Sequence, residues 1–355
     1  RSTRKESSAA SDVYKRQFPY LGVPFSFKGQ INWTYGPHFE QIVGRARRYK
    51  SAIYRIGADT IDKGEAIKIS WENVALPSIL FGCESTILTG KTLKTLESIQ
   101  CEVAKFCLGV RWDTSGLGAR VEAGMTSVKS LIMMRQLNFL NSVLKRPDSL
   151  VYQAWWENSF GKWDSPLKKL WLNLKSEIYT YGEFNKSMVK ERVMALENIN
   201  VEREIQVHNY LRYMTSRSIK KRGVYINRSK CQDILKAFRV GDWRLGVKEL
   251  KQAGQIVKCP FGCKTELTIP HFLFWCPELD SKRNETGISE FFHTYCIKSY
   301  EENDIVRQYL WAMDDDPLVV KQHGEAIIKM RNMWYKLAKE RNVNLNVRTK
   351  IMHNI

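Results

Sequence analysis

Three cysteines and one histidine between positions 259 and 276 have the residue types and the spacing of a metal site. The segment reads Cys259-Pro-Phe-Gly-Cys263, followed after seven residues by His271 and after four more by Cys276. Thiolate and imidazole donors in a set of four suit a closed tetrahedral Zn²⁺ site. The sequence therefore predicts a structural zinc knuckle with these four residues as its ligands.

The residues around the four ligands predict how the backbone brings them together. Pro260 and Gly262 favour a tight turn that lets the first two sulfurs reach one ion. His271 and Cys276 lie five positions apart, close to one helical turn, so both side chains can face the same point. Pro277 favours the end of that turn.

Two other interpretations of this segment stay open at this stage. His293 and Cys296 follow shortly after Cys276 and offer the same kinds of donor atom, although their spacing from the first cysteine pair is less suitable. The four predicted ligands could also be unrelated thiol and imidazole side chains that lie close together in an apolar loop.

The composition indicates a folded protein. A chain of 355 residues is long enough for about two domains, and its 43% hydrophobic and 12% aromatic content is typical of chains with a packed core. No apolar run reaches the length of about 18 residues that a membrane span needs. The eight cysteines are thinly spread and no secretory leader precedes them. We therefore expect reduced thiols and an intracellular location, in the cytoplasm and the nucleus.

The net charge of +19 is concentrated before the metal motif. Residues 203–251 contain thirteen Lys or Arg against four Asp or Glu, an excess of +9. Such a field favours RNA or DNA as a partner, whereas an ordinary solvated surface is the alternative explanation. The basic residues that we single out as nucleic-acid contacts in this region are Arg217, Lys220, Lys221, Arg222, Arg228, Lys230, Arg239 and Arg244.

Hydrophobic periodicity predicts a mainly α fold. Helices are expected at about 39–56, 68–81, 91–108, 125–145 and 165–178, with more amphipathic helix within 288–342. In the first of these helices Arg45, Arg48 and Arg55 share a face, and we predict that they contact phosphates. Before it, residues 18–30 read as a short β-hairpin.

The domain organisation follows from these segments. Residues 1–17 are polar, resemble translated adapter sequence and are expected to be a disordered, non-native leader before a fragment that starts at Phe18. The predicted parts are 18–150, a hairpin and thumb-like helical domain; 151–250, an aromatic and basic linker; 251–285, the zinc knuckle; and 286–355, a helical C-terminal region.

Five short motifs follow one another along the chain, namely Phe18-Pro-Tyr20-Leu21-Gly22-Val23, Ala75-Leu-Pro77-Ser-Ile-Leu-Phe81-Gly82-Cys83-Glu84, Leu96-Glu97-Ser-Ile99-Gln100, Phe106-Cys-Leu108-Gly109 and the Cys3His set. The order of these motifs and of the predicted parts resembles the C-terminal portion of a LINE-type non-LTR retrotransposon reverse transcriptase. The resemblance spans residues 18 to about 283. The Cys3His motif is specific. The other motifs are moderately specific and support the resemblance mainly because all of them occur in this order.

The resemblance implies roles for several of these segments. Tyr20, Leu21 and Gly22 would belong to a hairpin that grips the primer end, and the following helices to a thumb that tracks a template–primer duplex. The linker and the knuckle would hold RNA or target DNA during target-primed reverse transcription. No membrane and no small-molecule substrate are implied.

The catalytic part of such an enzyme is missing from the sequence. The family places a Tyr-x-Asp-Asp carboxylate pair, which holds two Mg²⁺ ions, upstream of the Tyr-Leu-Gly hairpin. Only the suspect leader precedes that hairpin here. The run Asp314-Asp315-Asp316 follows the knuckle and precedes Pro317, so we interpret it as a helix cap or turn. We therefore predict no catalytic residues and no polymerase activity for this chain alone.

Two other classes of protein fit the same residues. One is a stand-alone zinc-knuckle RNA- or DNA-binding protein derived from such an element. The other is a purely structural helical protein stapled by zinc.

Overall fold

The computed structural model describes residues 18–20, 23–27, 33–34, 36–56, 63–86, 88–157, 185–207, 230–242, 245, 258–291, 305–306, 309–310 and 316–343. These residues are mainly helical, which confirms the mainly α prediction. The helices are α1 Gly36–Ile56, α2 Lys63–Ser70, α3 Leu76–Ile79, α4 Gly90–Leu108, α5 Gly116–Glu122, α6 Val128–Leu144, α7 Leu150–Glu157, α8 Lys186–Val207, α9 Lys230–Arg239, α10 Asp280–Arg283 and α11 Pro317–Glu340.

Three short strands precede the helices. They are β1 Phe18–Tyr20, β2 Val23–Phe27 and β3 Trp33–Thr34, and β2 pairs antiparallel with both of the others. In the register of the first pair, Phe18 lies opposite Phe25 and Tyr20 opposite Val23. The strand β2 also contacts α1.

The chain divides into two compact units. The first comprises the described residues within Arg1–Gly57, Ile67–Val103 and Thr126–Ile199. Here α1 packs against α3 and against the single π-helical turn Trp71–Ala75 that joins α2 to α3. The apolar periodicity of α1 predicts one buried face. On this face Ile42, Ala46 and Ile53 are buried, and the other predicted members, Phe39, Val43 and Tyr49, are half-buried.

Hydrogen bonds fix the N-terminus of α6 in this unit. The Ser127 side chain caps the helix by accepting from the Ser130 N–H at 3.1 Å. Glu197 of α8 accepts from the Ser127 N–H at 2.9 Å, and Glu97 of α4 accepts from the Lys129 N–H at 2.9 Å. Carboxylates at a helix N-terminus satisfy its free N–H groups and oppose its positive dipole end.

The second unit comprises the described residues within Ala58–Ala66, Ala104–Met125 and Asn200–Ile355. Among the described residues of this unit, the larger hydrophobic cluster combines residues from α9, from the Cys3His segment and from α11, and a smaller one contains Val121, Val201 and Ile205. The helices α9 and α11 approach closely, because a Cβ atom added to Gly324 of α11 would lie 2.3 Å from Cβ of Cys231 in α9. Only glycine fits at this crossing.

The helix α11 begins at the acidic run in the way that the sequence predicts. The Asp316 carboxylate accepts from the Leu318 N–H at 2.8 Å, and Pro317 occupies the first helical position. This capping arrangement accounts for the structural role of Asp316. Within the described residues, no helix is both long and apolar enough to span a membrane.

Candidate metal centre

The four predicted ligands lie together in the second unit. One donor atom from each of Cys259, Cys263, His271 and Cys276 lies within 4.8 Å of the donor atoms of the others. The Cys276 sulfur is 4.0 Å from that of Cys259 and 3.7 Å from that of Cys263. These distances exceed the disulfide bond length of about 2.05 Å. A tetrahedral ion with metal–sulfur bonds of about 2.3 Å requires sulfur–sulfur separations of about 3.8 Å, so the thiols have the spacing of a metal site.

A tight hairpin-like turn presents the first cysteine pair. The Cys259 N–H donates to the Thr265 carbonyl at 2.9 Å, and Lys258 forms an antiparallel bridge with Glu266. Gly262 has φ of +86°, a left-handed conformation that disfavours residues with a Cβ. This glycine reverses the chain so that Cys263 returns toward Cys259, as the sequence predicts.

A single π-helical turn, His271–Trp275, aligns the other two ligands. In an α-helix, positions five apart differ by about 140° around the axis. The wider turn reduces this offset, because the Cys276 N–H donates to the His271 carbonyl at 2.7 Å. The side-chain oxygen of Thr268 accepts from the His271 N–H at 3.1 Å and so begins the turn. The predicted single helical turn is therefore present, with one more residue than an α-helical turn.

The His271 ring is oriented with one nitrogen available to a metal. Its Nδ1 lies 3.2 Å from the Thr265 hydroxyl. Its Nε2 is buried, and none of the described residues makes a hydrogen bond to it. A buried imidazole nitrogen without a partner is costly unless an ion binds it. With the proton on Nδ1 directed at Thr265, the Nε2 lone pair points to the ligand set.

The thiols interact electrostatically even before a metal is considered. A hydrogen bond from the Cys276 thiol is the main cause of the lowered pKa of Cys259. The same contact, together with burial, raises the pKa of Cys276, whereas burial is the main cause of the raised pKa of Cys263. Three sulfurs this close cannot all be thiolates without a cation among them, and a metal ion would supply that charge.

Two arginines support the backbone around the cluster. The buried Arg283 donates to the Cys276 carbonyl at 2.8 Å and to the Asp280 carboxylate at 2.6 Å. Arg341 donates to the Phe261 carbonyl at 3.3 Å and forms an ion pair with Glu278. Three thiolates on a divalent ion would leave one net negative charge, and the guanidinium of Arg283, which also pairs with Asp280, would offset this charge in part.

The Cys3His segment is built into the core of the second unit. Phe261 and Phe272 make edge-on contacts with Trp334 of α11, with ring centroids 4.5 and 5.5 Å apart. Trp334 is fully buried, and its indole N–H donates to the Leu245 carbonyl at 3.1 Å. The predicted knuckle is therefore packed against a C-terminal helix, and the two share one core.

Thr265→Val is expected to weaken metal binding by about 10- to 100-fold, because it removes the hydrogen-bond partner that orients a metal-binding histidine. Competition with a chromophoric chelator would measure the affinity. Thr95→Val, a change of the same kind on α4 in the other unit, serves as the control. An affinity that is equal in Thr265→Val and in the control would show that this hydroxyl does not orient His271.

The predicted phosphate contacts have different environments in the structure. Arg48 and Arg55 of α1 and Lys230 of α9 are exposed. Arg45 is half-buried and donates to the Ser78 carbonyl at 3.1 Å, so part of its hydrogen-bonding capacity is used within the fold.

The prediction that Arg239 contacts nucleic acid is wrong. Its side chain is 2% exposed and pairs with the equally buried Glu122, with Nη2 2.6 Å and Nε 3.1 Å from the same carboxylate oxygen. Its Nη1 also donates to the Leu310 carbonyl at 2.9 Å. These contacts commit the guanidinium to the core of the second unit, away from any phosphate.

Several predicted residues have no structural test. Tyr20 ends β1. The following residues of the predicted primer grip, most of the predicted basic linker contacts and the alternative ligands lie outside the described residues. They are Leu21, Gly22, Arg217, Lys220, Lys221, Arg222, Arg228, Arg244, His293 and Cys296.

The structure also contains a basic groove that the sequence analysis missed. It has a volume of about 940 Å³ and lies in the first unit, lined by residues of α1 and α4. Four cations line it, namely Arg47, Lys50, Lys91 and Lys94, together with the hydroxyls of Ser51, Thr95 and Ser98. The spacing of Lys91 and Lys94 at one helix end is the signal that could have revealed it.

The charge of this groove is largely uncompensated. Among the described residues of the lining, Glu102 is the one acidic residue, and it pairs with Lys50 at 2.5 Å. Arg47, Lys91 and Lys94 are exposed. The groove also includes the N-terminus of α4, whose first turn contains no acidic residue to oppose the positive end of the helix dipole. The groove is thus a concave positive surface suited to an anionic partner.

Comparisons with protein-family models, with curated proteins and with solved structures found no match to this chain.

Proposed function

We propose that this chain binds nucleic acid through its basic surfaces and that Zn²⁺ occupies the Cys3His cluster as a structural ion. The zinc proposal is supported by the donor set and by the sulfur separations of 3.7 and 4.0 Å. Soft thiolates with one imidazole favour zinc over hard cations such as Mg²⁺ or Ca²⁺. Four protein ligands leave no open position for a reacting water, so the ion has a folding role and no catalytic one.

The observation that carries the nucleic-acid proposal is the basic groove between α1 and α4. Its exposed cations point to a polyanion, and its lining residues are spread along α4 from Gly90 to Glu102, about 18 Å of helix, which suits a chain of phosphates better than a single small anion. Phosphate contacts hold a nucleic acid without reading its bases. We therefore expect binding that tolerates sequence and weakens steeply with salt.

We further propose that the chain is the thumb, linker and knuckle portion of a LINE-type reverse transcriptase. The support is the order of the motifs from the Tyr-Leu-Gly segment to the Cys3His set. In this proposal the chain acts in target-primed reverse transcription only together with a palm that supplies the carboxylate pair and its Mg²⁺ ions. The purified chain alone is expected to give no primer extension.

A stand-alone zinc-knuckle RNA- or DNA-binding protein derived from such an element is the second candidate. The dense packing of the knuckle against α11 favours it in one respect, since the second unit has a substantial core of its own. The transcript upstream of Phe18 separates the two candidates. An open frame with Tyr-x-Asp-Asp selects the reverse transcriptase, and a start codon near Phe18 selects the stand-alone protein.

The triple variant Arg47→Gln/Lys91→Gln/Lys94→Gln tests the groove. If these three residues contact phosphates, the slope of log affinity against log salt falls in magnitude by about 2 to 3, because each lost contact removes about 0.7 to 0.9. Fluorescence anisotropy with a labelled single strand and a labelled duplex, at several salt concentrations, measures this slope. Lys50 is left in place because it already pairs with Glu102.

The control removes the same amount of charge outside the groove. Lys129→Gln/Lys186→Gln/Lys190→Gln changes three exposed lysines of α6 and α8 in the same unit. Equal slopes for the two triple variants would contradict a specific role for the groove.

Replacing Lys220, Lys221 and Arg222 together tests the predicted linker contacts in the same assay. Binding that is absent or insensitive to salt would favour a purely structural helical protein.

A further inference from the structure

The loop between α4 and α5 holds a tryptophan outward. Trp112 is 81% exposed, in contrast to the fully buried Trp71 and Trp334. Burying an indole stabilises a protein by several kcal/mol, on the order of 3, so a fold gains nothing from leaving one in water. A large aromatic surface held in solvent is therefore a candidate contact for a partner.

The backbone on both sides of Trp112 is fixed. Gly109, with φ of +65°, ends α4, and the Thr114 N–H donates to the Arg111 carbonyl at 3.1 Å to close a turn around Trp112. The Ser115 side chain then caps α5 by accepting from the Gly118 N–H at 3.1 Å. Trp112 is thus at the tip of a short turn between two helix ends.

Two further contacts anchor this turn to the second unit. The buried Asp242 carboxylate accepts from the Arg111 N–H at 3.1 Å. The Lys105 ammonium donates to the Trp112 carbonyl at 2.7 Å. Because the backbone of this turn is already held, only the Trp112 side chain has to be ordered when a partner binds, which reduces the entropic cost of association.

The chemistry around the indole indicates the partner. The Lys105 ammonium contacts the backbone of this turn, and the Arg111 guanidinium is already neutralised by its ion pair with Asp113. The exposed aromatic face beside an ammonium is therefore the feature suited to an unpaired nucleobase, which it binds by stacking. A duplex hides the faces of its bases in its own stack, so it cannot use this surface in the same way.

We propose that Trp112 is a stacking platform for an unpaired base, which gives the chain a preference for single-stranded over double-stranded nucleic acid. This inference rests on the proposed nucleic-acid binding and adds a contact that depends on an aromatic face. Stacking of this kind is tolerant of base identity, because every base has a π-face. The contact also differs from those of the groove in its response to salt.

The test compares Trp112→Ala, Trp112→Phe and Leu150→Ala by fluorescence anisotropy with labelled oligo(dT), oligo(U) and a blunt DNA duplex. Leu150 of α7 is equally exposed, at 81%, and serves as the matched control. We expect Trp112→Ala to lose between about 5-fold and 100-fold in affinity for the single strands, the loss of one stacked base. Trp112→Phe retains most of the affinity, and Leu150→Ala behaves as the unchanged protein.

The salt dependence of the affinity and the affinity for the duplex decide between the possible outcomes. Trp112→Ala is expected to keep the salt slope and the duplex affinity, because no charge has been removed. Single-strand affinity equal to that of Leu150→Ala overturns the inference and leaves the proposed function standing. An equal loss on single strand and duplex also overturns it. If the unchanged protein binds neither probe, the proposed function itself fails.

Discussion

Chelation of the metal, or Cys259→Ser, is expected to unfold the segment 258–276 and to loosen α11. The backbone amides of this segment should lose their protection from hydrogen exchange. The tryptophan emission should shift to the red as water reaches the indole of Trp334. The effect is large because structural zinc contributes roughly 10 to 16 kcal/mol to the folding of small metal-binding modules. Here few backbone hydrogen bonds, such as Cys259 to Thr265, hold the turn without an ion.

The structure predicts which elements lose their hydrogen-exchange protection and which keep it. Phe261 and Phe272 leave the core together with the segment, so Trp334 loses both of its edge-on partners. The helices α1 and α6 belong to the other compact unit and should keep their protection.

The same experiment identifies the ligands. His271→Ala should also release the metal, whereas Cys101→Ser, at a half-buried cysteine of α4, should retain one ion per chain. Metal content measured by atomic emission separates these variants. One bound ion per chain in both Cys259→Ser and His271→Ala would show that other residues hold the metal.

Arg239→Met is expected to destabilise the second unit by about 3 to 5 kcal/mol, because it leaves the buried Glu122 carboxylate without its main partner. The loss should be seen as faster hydrogen exchange of α9 and α11. A single unfolding free energy is a poor measure for a chain with two compact units. Nucleic-acid affinity, expressed per folded molecule, should not change.

Substitutions of Glu122, the ion-pair partner of Arg239, test the same interaction from the other side. The pKa of the buried Lys236 is lowered mainly by desolvation, and Glu122 is among the carboxylates that oppose this shift. Glu122→Gln therefore leaves two buried cations with less compensation, and we expect it to cost at least as much as Arg239→Met. The double variant Glu122→Gln/Arg239→Met should cost less than the two single changes combined. Strict additivity would contradict a direct pair.

Sequence reasoning predicted α1, α4 and α6 closely because their signals are local, whereas α5, α8 and α9 have no counterpart among the predicted helices. The apolar spacing in α1 and α4 depends on residues within one or two turns of each other. The Cys3His cluster was predictable for a similar reason, since all four ligands lie within 18 residues. The acidic run before α11 was also interpretable from its neighbours alone, because Asp316 precedes a proline.

The failures involve partners that are distant in the sequence. Arg239 has the composition of a surface cation, and nothing near it in the chain reveals that Glu122, 117 residues away, holds it in the core. The basic groove likewise combines Arg47 and Lys94 from two different helices. Neither residue was chosen from the sequence, because charge periodicity describes one helix at a time.

The wide turn at His271–Trp275 has a consequence for the length of the motif. It absorbs one residue, equivalent to a rotation of about 100°, so that both ligands and the intervening Phe272 and Phe274 reach their places. If one residue between His271 and Cys276 were deleted, an ordinary α-helix would still align the two donor groups. The aromatic residues between them, however, would be rotated out of their places in the core. The number of residues between His271 and Cys276 therefore fixes both the alignment of the two donor groups and the placement of Phe272 and Phe274.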